Sequence, residues 1–377
     1  MRVRPFSVAL ASPLRTAREE LTERAGFLVG VGGSDGEVDR DGGDGDTGDV
    51  DAPATGIGES TPLPGWTESR SACAAALRES AVASANSGGP AAALADLDAG
   101  DTPAARHGLA LALADAAARE ADRSLSAHLA DRIARSGDRT GLPEPAASVP
   151  VNATIGDGTP EATAADAERA AADGYRCLKV KVGARPLETD LDRLRAVREA
   201  VGPAVDLRAD ANGAWDRSTA RRALDRLESL DLAYVEQPLP AAALDATARL
   251  RVEAAVPIAL DESLAEHSVA DVLAADAADA VVIKPMALGG PDRALEAALR
   301  AREAGVEPVV TTTIDAVVAR TAAVHVAAAI PDVAACGLAT GGLLAEDLAP
   351  DPCPVDDGRV EVPDGPGIAG GAFDGLV

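Results

Sequence analysis

The chain has almost no lysine. Among its 35 basic residues only Lys179, Lys181 and Lys284 are lysine, set against 61 acidic residues, and the formal net charge is −26. A deficit of positive charge on this scale excludes nucleic acid and an anionic membrane surface as partners, because both would be repelled. Cysteine is also sparse: Cys73, Cys177, Cys336 and Cys353 show no paired metal spacing, which excludes a thiolate zinc site and predicts buried free thiols. No apolar run approaches the roughly 18 residues a membrane helix needs, and "MRVRPFSVAL" lacks the long apolar core of a signal peptide. A soluble cytoplasmic protein with no membrane insertion is expected.

The acidic residues are spread along the chain as a solvating surface, and a composition this rich in acid and poor in lysine resembles that of proteins from salt-loving organisms. Where surface lysine is nearly absent, the lysines that remain are expected to do what arginine cannot. Arginine stays charged at any working pH, whereas a desolvated lysine can be brought toward neutrality and can carry a proton.

At 377 residues with 47% hydrophobic content, the chain can form two domains, or a barrel with an added domain. From about residue 150 it alternates short β-rich runs ("VPVNATI", "CLKVKVG", "VDLRADAN", "AYVEQP", "PIALDES", "AVVIKP", "PVVTTT") with helical stretches such as "LETDLDRLRAVREAVG". Repeated βα units at this density predict a parallel barrel. Residues 1–145 read instead as strands followed by alanine-rich helices, an α+β domain capping a barrel at 146–349, with 350–377 returning to the cap. Within the cap, 33–54 is an acidic low-complexity insertion whose Asp44, Asp46, Asp49 and Asp51 fit no calcium-loop spacing.

The stretch "LRADANGAW" puts Arg208, Asp210 and Asn212 on one face of a strand. Asp210 belongs to a series, for Lys179 and Lys181 alternate in "CLKVKVG", Asp210 ends "VDLRAD", Glu236 ends "AYVEQ", Asp261 ends "PIALDE" and Lys284 ends "AVVIKP". From Lys181 the successive separations are 29, 26, 25 and 23 residues, each close to one βα unit. One charged group therefore arrives at the C-terminal mouth of each successive strand, where barrel enzymes place their chemistry. Three carboxylates converging there would repel one another unless a cation lay between them. Oxygen ligands suit Mg²⁺, with Mn²⁺ as a substitute, so Asp210, Glu236 and Asp261 are the predicted metal ligands. Glu262 should point to the opposite side of its strand and act in support. A divalent metal flanked by lysines suits removal of a proton from carbon beside a carboxylate, so a small carboxylate substrate is expected.

The order "KVK", "DANGAW", "VEQPL", "LDESL", "IKPMALGG" resembles the muconate-lactonizing branch of the enolase superfamily, which implies a modified TIM barrel with an N-terminal α+β capping domain. The resemblance makes Lys181 the base and places Lys284 across the substrate. It puts Arg208 and Asn212 in the same site wall, with Lys179 in support. His107, His128, His267 and His325 do not fall in the arrangement of the mandelate-racemase branch and are read as structural. Outside the barrel, "RPFSVALASPLRTAREELTERAGFLV", "GIGESTPLPGWTES" and "CGLATGGLLAEDL" are similar to the o-succinylbenzoate synthase family. That family dehydrates 2-succinyl-6-hydroxy-2,4-cyclohexadiene-1-carboxylate in menaquinone synthesis. Racemisation of N-acylamino acids or epimerisation of dipeptides is the rival reading, and ring cycloisomerisation a third. One departure is "TTTIDA", where relatives carry serines and a Glu-Ser pair; Thr311, Thr312 and Thr313 can still offer hydroxyl and backbone donors toward a substrate.

Overall fold

The computed structural model describes residues 1–15, 20–32, 55–86, 88–135 and 142–377, and the acidic stretch 33–54 lies outside them. Strands β1 (Arg2–Arg15) and β2 (Glu20–Val31) pair antiparallel, and β3 (Gly56–Ser60) adds to the other edge of β2. Helices α1 (Arg70–Asn86), α2 (Pro90–Ala95), α3 (Pro103–Glu120) and α4 (Leu125–Arg135) follow. Helix α3 lies directly on β3 because both surfaces are glycine: a Cβ at Gly58 would fall 1.9 Å from the Gly108 carbonyl oxygen. Phe27, Val29, Leu77 and Leu109 fill this layer, and Met286 and Ala319 from the barrel complete the same cluster.

The second half alternates strand and helix. In chain order come β4 (Ser148–Pro150), β5 (Ala153–Ile155), α5 (Pro160–Ala172), β6 (Cys177–Lys181), α6 (Leu187–Val201), β7 (Asp206–Asp210) and α7 (Arg217–Leu227). Then follow β8 (Leu232–Glu236), α8 (Leu244–Glu253), β9 (Ile258–Leu260), α9 (Val269–Ala274), β10 (Ala280–Ile283), α10 (Pro285–Leu288), α11 (Pro291–Glu303), β11 (Glu307–Val310) and α12 (Val317–Ala328). Strands β5 to β11 form one parallel sheet in sequential order. Helix starts are set locally. Asp216 accepts the Thr219 N–H at the head of α7, and Ser268 and Asp271 form a reciprocal capping box on α9.

The sheet curls until its ends meet. Residues 336–337 bridge both edges, Cys336 to Val151 and Gly337 to Thr311, and so supply an eighth strand position. This segment carries no long β-rich run, and it is held by a few backbone bonds: Cys336 N–H to the Pro150 carbonyl and Gly337 N–H to that of Val310. Tyr234, Ala259, Ala280 and Val309, from four consecutive strands, pack together inside the barrel. Near the C-terminus β12 (Val355–Asp356) pairs with β13 (Arg359–Glu361), which pairs in turn with β4. Beyond it the chain runs along α3 and β1: the Ile368 N–H donates to Asp115, Arg119 pairs with Asp374, and Arg4 donates to the Leu376 carbonyl.

Candidate active site

Parallel register brings the charged strand ends level. Lys181 is the Cα partner of Asp210, and Asp210 of Glu236. Glu236 is in turn opposite Ala259, and Asp261 follows directly after the end of that strand at Leu260. The side chains meet accordingly. Lys179 Nζ lies 3.0 Å from Asp210 Oδ2 and 2.9 Å from Glu236 Oε1, and Lys181 Nζ lies 2.7 Å from Asp210 Oδ2. Across the mouth Lys284 donates to Asp261 Oδ1. Asp210 and Glu236 are wholly buried and Asp261 and Lys284 nearly so, whereas the Lys181 side chain is 38% exposed and faces the opening.

Burial by itself would lower the pKa of the Lys179 ammonium. Glu236, Asp210 and Asp261 together outweigh that effect and hold it well above the ordinary lysine value. The expectation that desolvation draws lysine toward neutrality does not apply to Lys179, where the neighbouring carboxylates act in the opposite direction. Burial likewise raises Glu236, an effect that Lys179 opposes and the charges of Asp210 and Asp261 reinforce. Asp210 is buried too, but two ammonium groups hold it below the usual carboxylate range.

Among the described residues, no three His, Cys, Asp or Glu side chains converge closely enough to hold a metal ion as they stand. The reason is visible in the contacts: each of the three carboxylates is turned onto an ammonium. The donor chemistry nonetheless fits a hard divalent cation, being three carboxylates from adjacent strand ends, shielded from water and repelling one another.

Asn212 stands beside Lys181, its Oδ1 accepting from Nζ at 3.0 Å. Arg208 lies one strand layer lower, buried in the barrel, where it donates to the Ala335 carbonyl at 2.8 Å and stacks on Tyr234 at 4.7 Å. The polar face of "LRADAN" is therefore divided between the barrel interior and its mouth. Glu262 does not point away as alternation predicts. β9 ends at Leu260, a 3-10 turn begins at Glu262, and its Oε1 accepts from Asn212 Nδ2 at 2.8 Å. Thr312 meets Thr340 through their hydroxyls at 3.1 Å, while the Thr313 hydroxyl donates to Asp315 at 2.5 Å in a buried cluster with Glu59. His325 is structural: it accepts the Ser126 N–H and faces the Ile368 carbonyl, and burial pushes it down to about 4. All four cysteines are free and buried, and burial raises every thiol.

Sequence patterns missed three contributors. Trp66, from the segment between β3 and α1, lies over Lys284 with Nζ 3.3 Å from the ring centroid, a cation–π contact. It lies in the quoted stretch "GIGESTPLPGWTES", but nothing in that stretch relates it to Lys284. Gln237, with a φ of 42°, accepts the Asp261 and Ser263 N–H groups and donates to Ser263 Oγ, tying the end of β8 to that of β9. Arg193, completely buried on α6, donates to the Lys181 carbonyl at 2.8 Å and to Asp190, which in turn accepts the Gly183 N–H.

A barrel with buried carboxylates on three neighbouring strand ends and lysines on either side is the arrangement of enolase-type proteins. The chain belongs to that superfamily: the profile of the enolase C-terminal domain-like family matches residues 162–370. It is 44% identical over 211 residues to an o-succinylbenzoate synthase of Thermobifida fusca (strain YX), covering 54% of this chain and 63% of that protein. It is 35% identical over 227 residues to a chloromuconate cycloisomerase of Delftia acidovorans, covering 59% of this chain and 60% of the relative. The chain thus spans about three fifths of each of these relatives. Its fold is that of a dipeptide epimerase from Enterococcus faecalis V583 complexed with Mg and the dipeptide L-Leu-L-Tyr, with a TM-score of 0.77, 22% identity, and 98% of both chains covered. No helix among the described residues is long and apolar enough to cross a membrane.

Proposed function

We propose that this protein is a lyase that dehydrates 2-succinyl-6-hydroxy-2,4-cyclohexadiene-1-carboxylate to o-succinylbenzoate, a step of menaquinone synthesis. The supporting observation is the inequality of the two mouth lysines. Lys284 is buried, bonded to Asp261 and covered by Trp66, which hold it in place, whereas Lys181 is the exposed one. One mobile base and one fixed cation suffice for an elimination, but a racemase needs a proton donor on each face. The named activity of the Thermobifida relative supports the same reading.

In this reading Asp210, Glu236 and Asp261 would hold Mg²⁺, or Mn²⁺ in its place. Such an ion, when bound, stabilises negative charge that accumulates on a substrate carboxylate. Lys181 Nζ takes the proton from the ring carbon bearing the carboxylate, and the C–H electron pair passes into the carboxylate. That pair returns as the neighbouring C–O bond breaks. The departing hydroxide takes a proton from Lys181, leaving as water, and the ring becomes aromatic. Lys284 keeps its proton throughout and faces the negative charge. Lys179 holds Asp210 and Glu236 in place from below.

The test is turnover by the purified protein in molar salt. The cyclohexadiene substrate should yield o-succinylbenzoate, chelation should abolish the activity and added Mg²⁺ should restore it. Asp210→Asn, Glu236→Gln and Asp261→Asn should each weaken Mg²⁺ binding by calorimetry. Full turnover in thoroughly stripped protein, or turnover confined to N-succinylamino acids or dipeptides, would reject this reading.

A further inference from the structure

We propose that Glu262 is a positioning residue for Lys181, acting through Asn212 to aim the Lys181 amine at the substrate. This rests on the reading of Lys181 as the base.

The contacts form a chain of three groups. Glu262 Oε1 accepts from Asn212 Nδ2 at 2.8 Å, and Asn212 Oδ1 accepts from Lys181 Nζ at 3.0 Å. The other Glu262 oxygen, Oε2, is buried and has no hydrogen-bond partner among the described residues, and Oε1 is bonded by Asn212. Asn212 is fixed from behind as well. Its φ of 45° is a conformation asparagine tolerates, and its N–H donates to Asp210 Oδ1 at 3.0 Å.

An asparagine amide can face either way, and its neighbours decide. Glu262 Oε1 accepts from the NH₂ group, which leaves the amide oxygen turned toward Lys181. The consequence bears on the reacting lone pair. A neutral lysine amine has two N–H bonds and one lone pair, disposed tetrahedrally about Nζ. Lys181 has two acceptors in reach, Asp210 Oδ2 at 2.7 Å and Asn212 Oδ1 at 3.0 Å. With both N–H bonds directed there, the lone pair takes the remaining direction, toward the open mouth. Were the amide reversed, its NH₂ would donate to that lone pair and withdraw it from the substrate.

The scarcity of lysine makes the test direct. Protein labelled with ¹³C at lysine Cε carries three such side chains, and the Lys181 signal is the one lost in Lys181→Arg. Asn212→Ala should move the Lys181 signal and leave those of Lys179 and Lys284 in place, while Glu262→Ala should move Lys181 together with Lys284, whose charge also acts on Glu262, and leave Lys179 in place. Glu262→Gln, which keeps an acceptor for Asn212 Nδ2, should leave the Lys181 signal unmoved. In turnover, Glu262→Ala should lower kcat on the order of 10- to 100-fold with KM little changed, as misaimed reacting groups do. The double variant with Asn212→Ala should be no worse than the poorer single variant. Unmoved Lys181, three signals moving alike in Glu262→Ala, or losses that multiply in the double variant would overturn the proposal. A wild-type protein inactive on the cyclohexadiene would reject the functional reading alone, because the lysine signals still decide this one.

Discussion

The two lysines at the mouth make different demands on a substitution. Lys181→Ala removes the group that takes the proton, and loss of a general base costs about 10²- to 10⁴-fold in rate. Lys284→Arg keeps a cation beside Asp261 and under Trp66, though the wider planar head of arginine fits that space less well. It should therefore retain part of the dehydration activity, whereas a two-base racemase would lose both variants equally. Steady-state rates on the cyclohexadiene, with α-deuterium exchange followed in heavy water, distinguish the two. Equal and near-complete loss in both folded variants would contradict the unequal roles.

At the scale of elements, α12 is capped by a residue distant in sequence. Glu59, at the end of β3, accepts the Ala316 and Ala319 N–H groups at 2.8 and 2.9 Å, where the helix dipole favours negative charge. Thr61 also donates to it. Burial nevertheless pushes Glu59 up to about 7 from 4.5, and the charge of Asp315 adds to the shift. A folded-state pKa raised in this way contributes stability that is complete below pH 4.5 and is lost as the pH rises through about 7. At about 1.4 kcal/mol per pKa unit, the loss is on the order of 3 kcal/mol. Chemical denaturation of wild type and Glu59→Gln at pH 5 and pH 8 should show wild type losing ground to the variant at the higher pH. A difference that does not change with pH would refute this. Arg193 is a second such junction. Arg193→Ala would strand Asp190 in the core and cost about 3 to 5 kcal/mol, read as a lowered denaturation midpoint.

The whole molecule carries a net charge of −26, which must repel itself in dilute buffer. Molar salt shortens the Debye length to about 3 Å and screens that repulsion. We therefore expect Tm to rise between dilute buffer and molar KCl, as in a protein adapted to salt. The ion pairs of the mouth are buried and should be screened far less. A Tm that stays flat or falls over this range would remove salt adaptation as the explanation for the missing lysine.

The βα alternation after residue 150 was legible because strand and helix periods are local properties, and strand parity put Lys181, Asp210 and Glu236 on one mouth, with Asp261 and Lys284 the first residues past β9 and β10. Parity failed where the strand itself stopped. Glu262 lies past the end of β9, and only the turn geometry shows it facing Asn212. The eighth strand position was illegible for a related reason: residues 336–337 form it by backbone bonds to both edges of a closed sheet, which need no β-rich run of side chains. Trp66 is 218 residues from Lys284, and no spacing rule relates them. Sequence alone determined which charges exist and on which strand face each stands, because those follow from composition and a two-residue period. Tertiary structure decided which charges pair, which are desolvated and which aromatic covers them. Those outcomes depend on distances between segments that only closure of the barrel brings together.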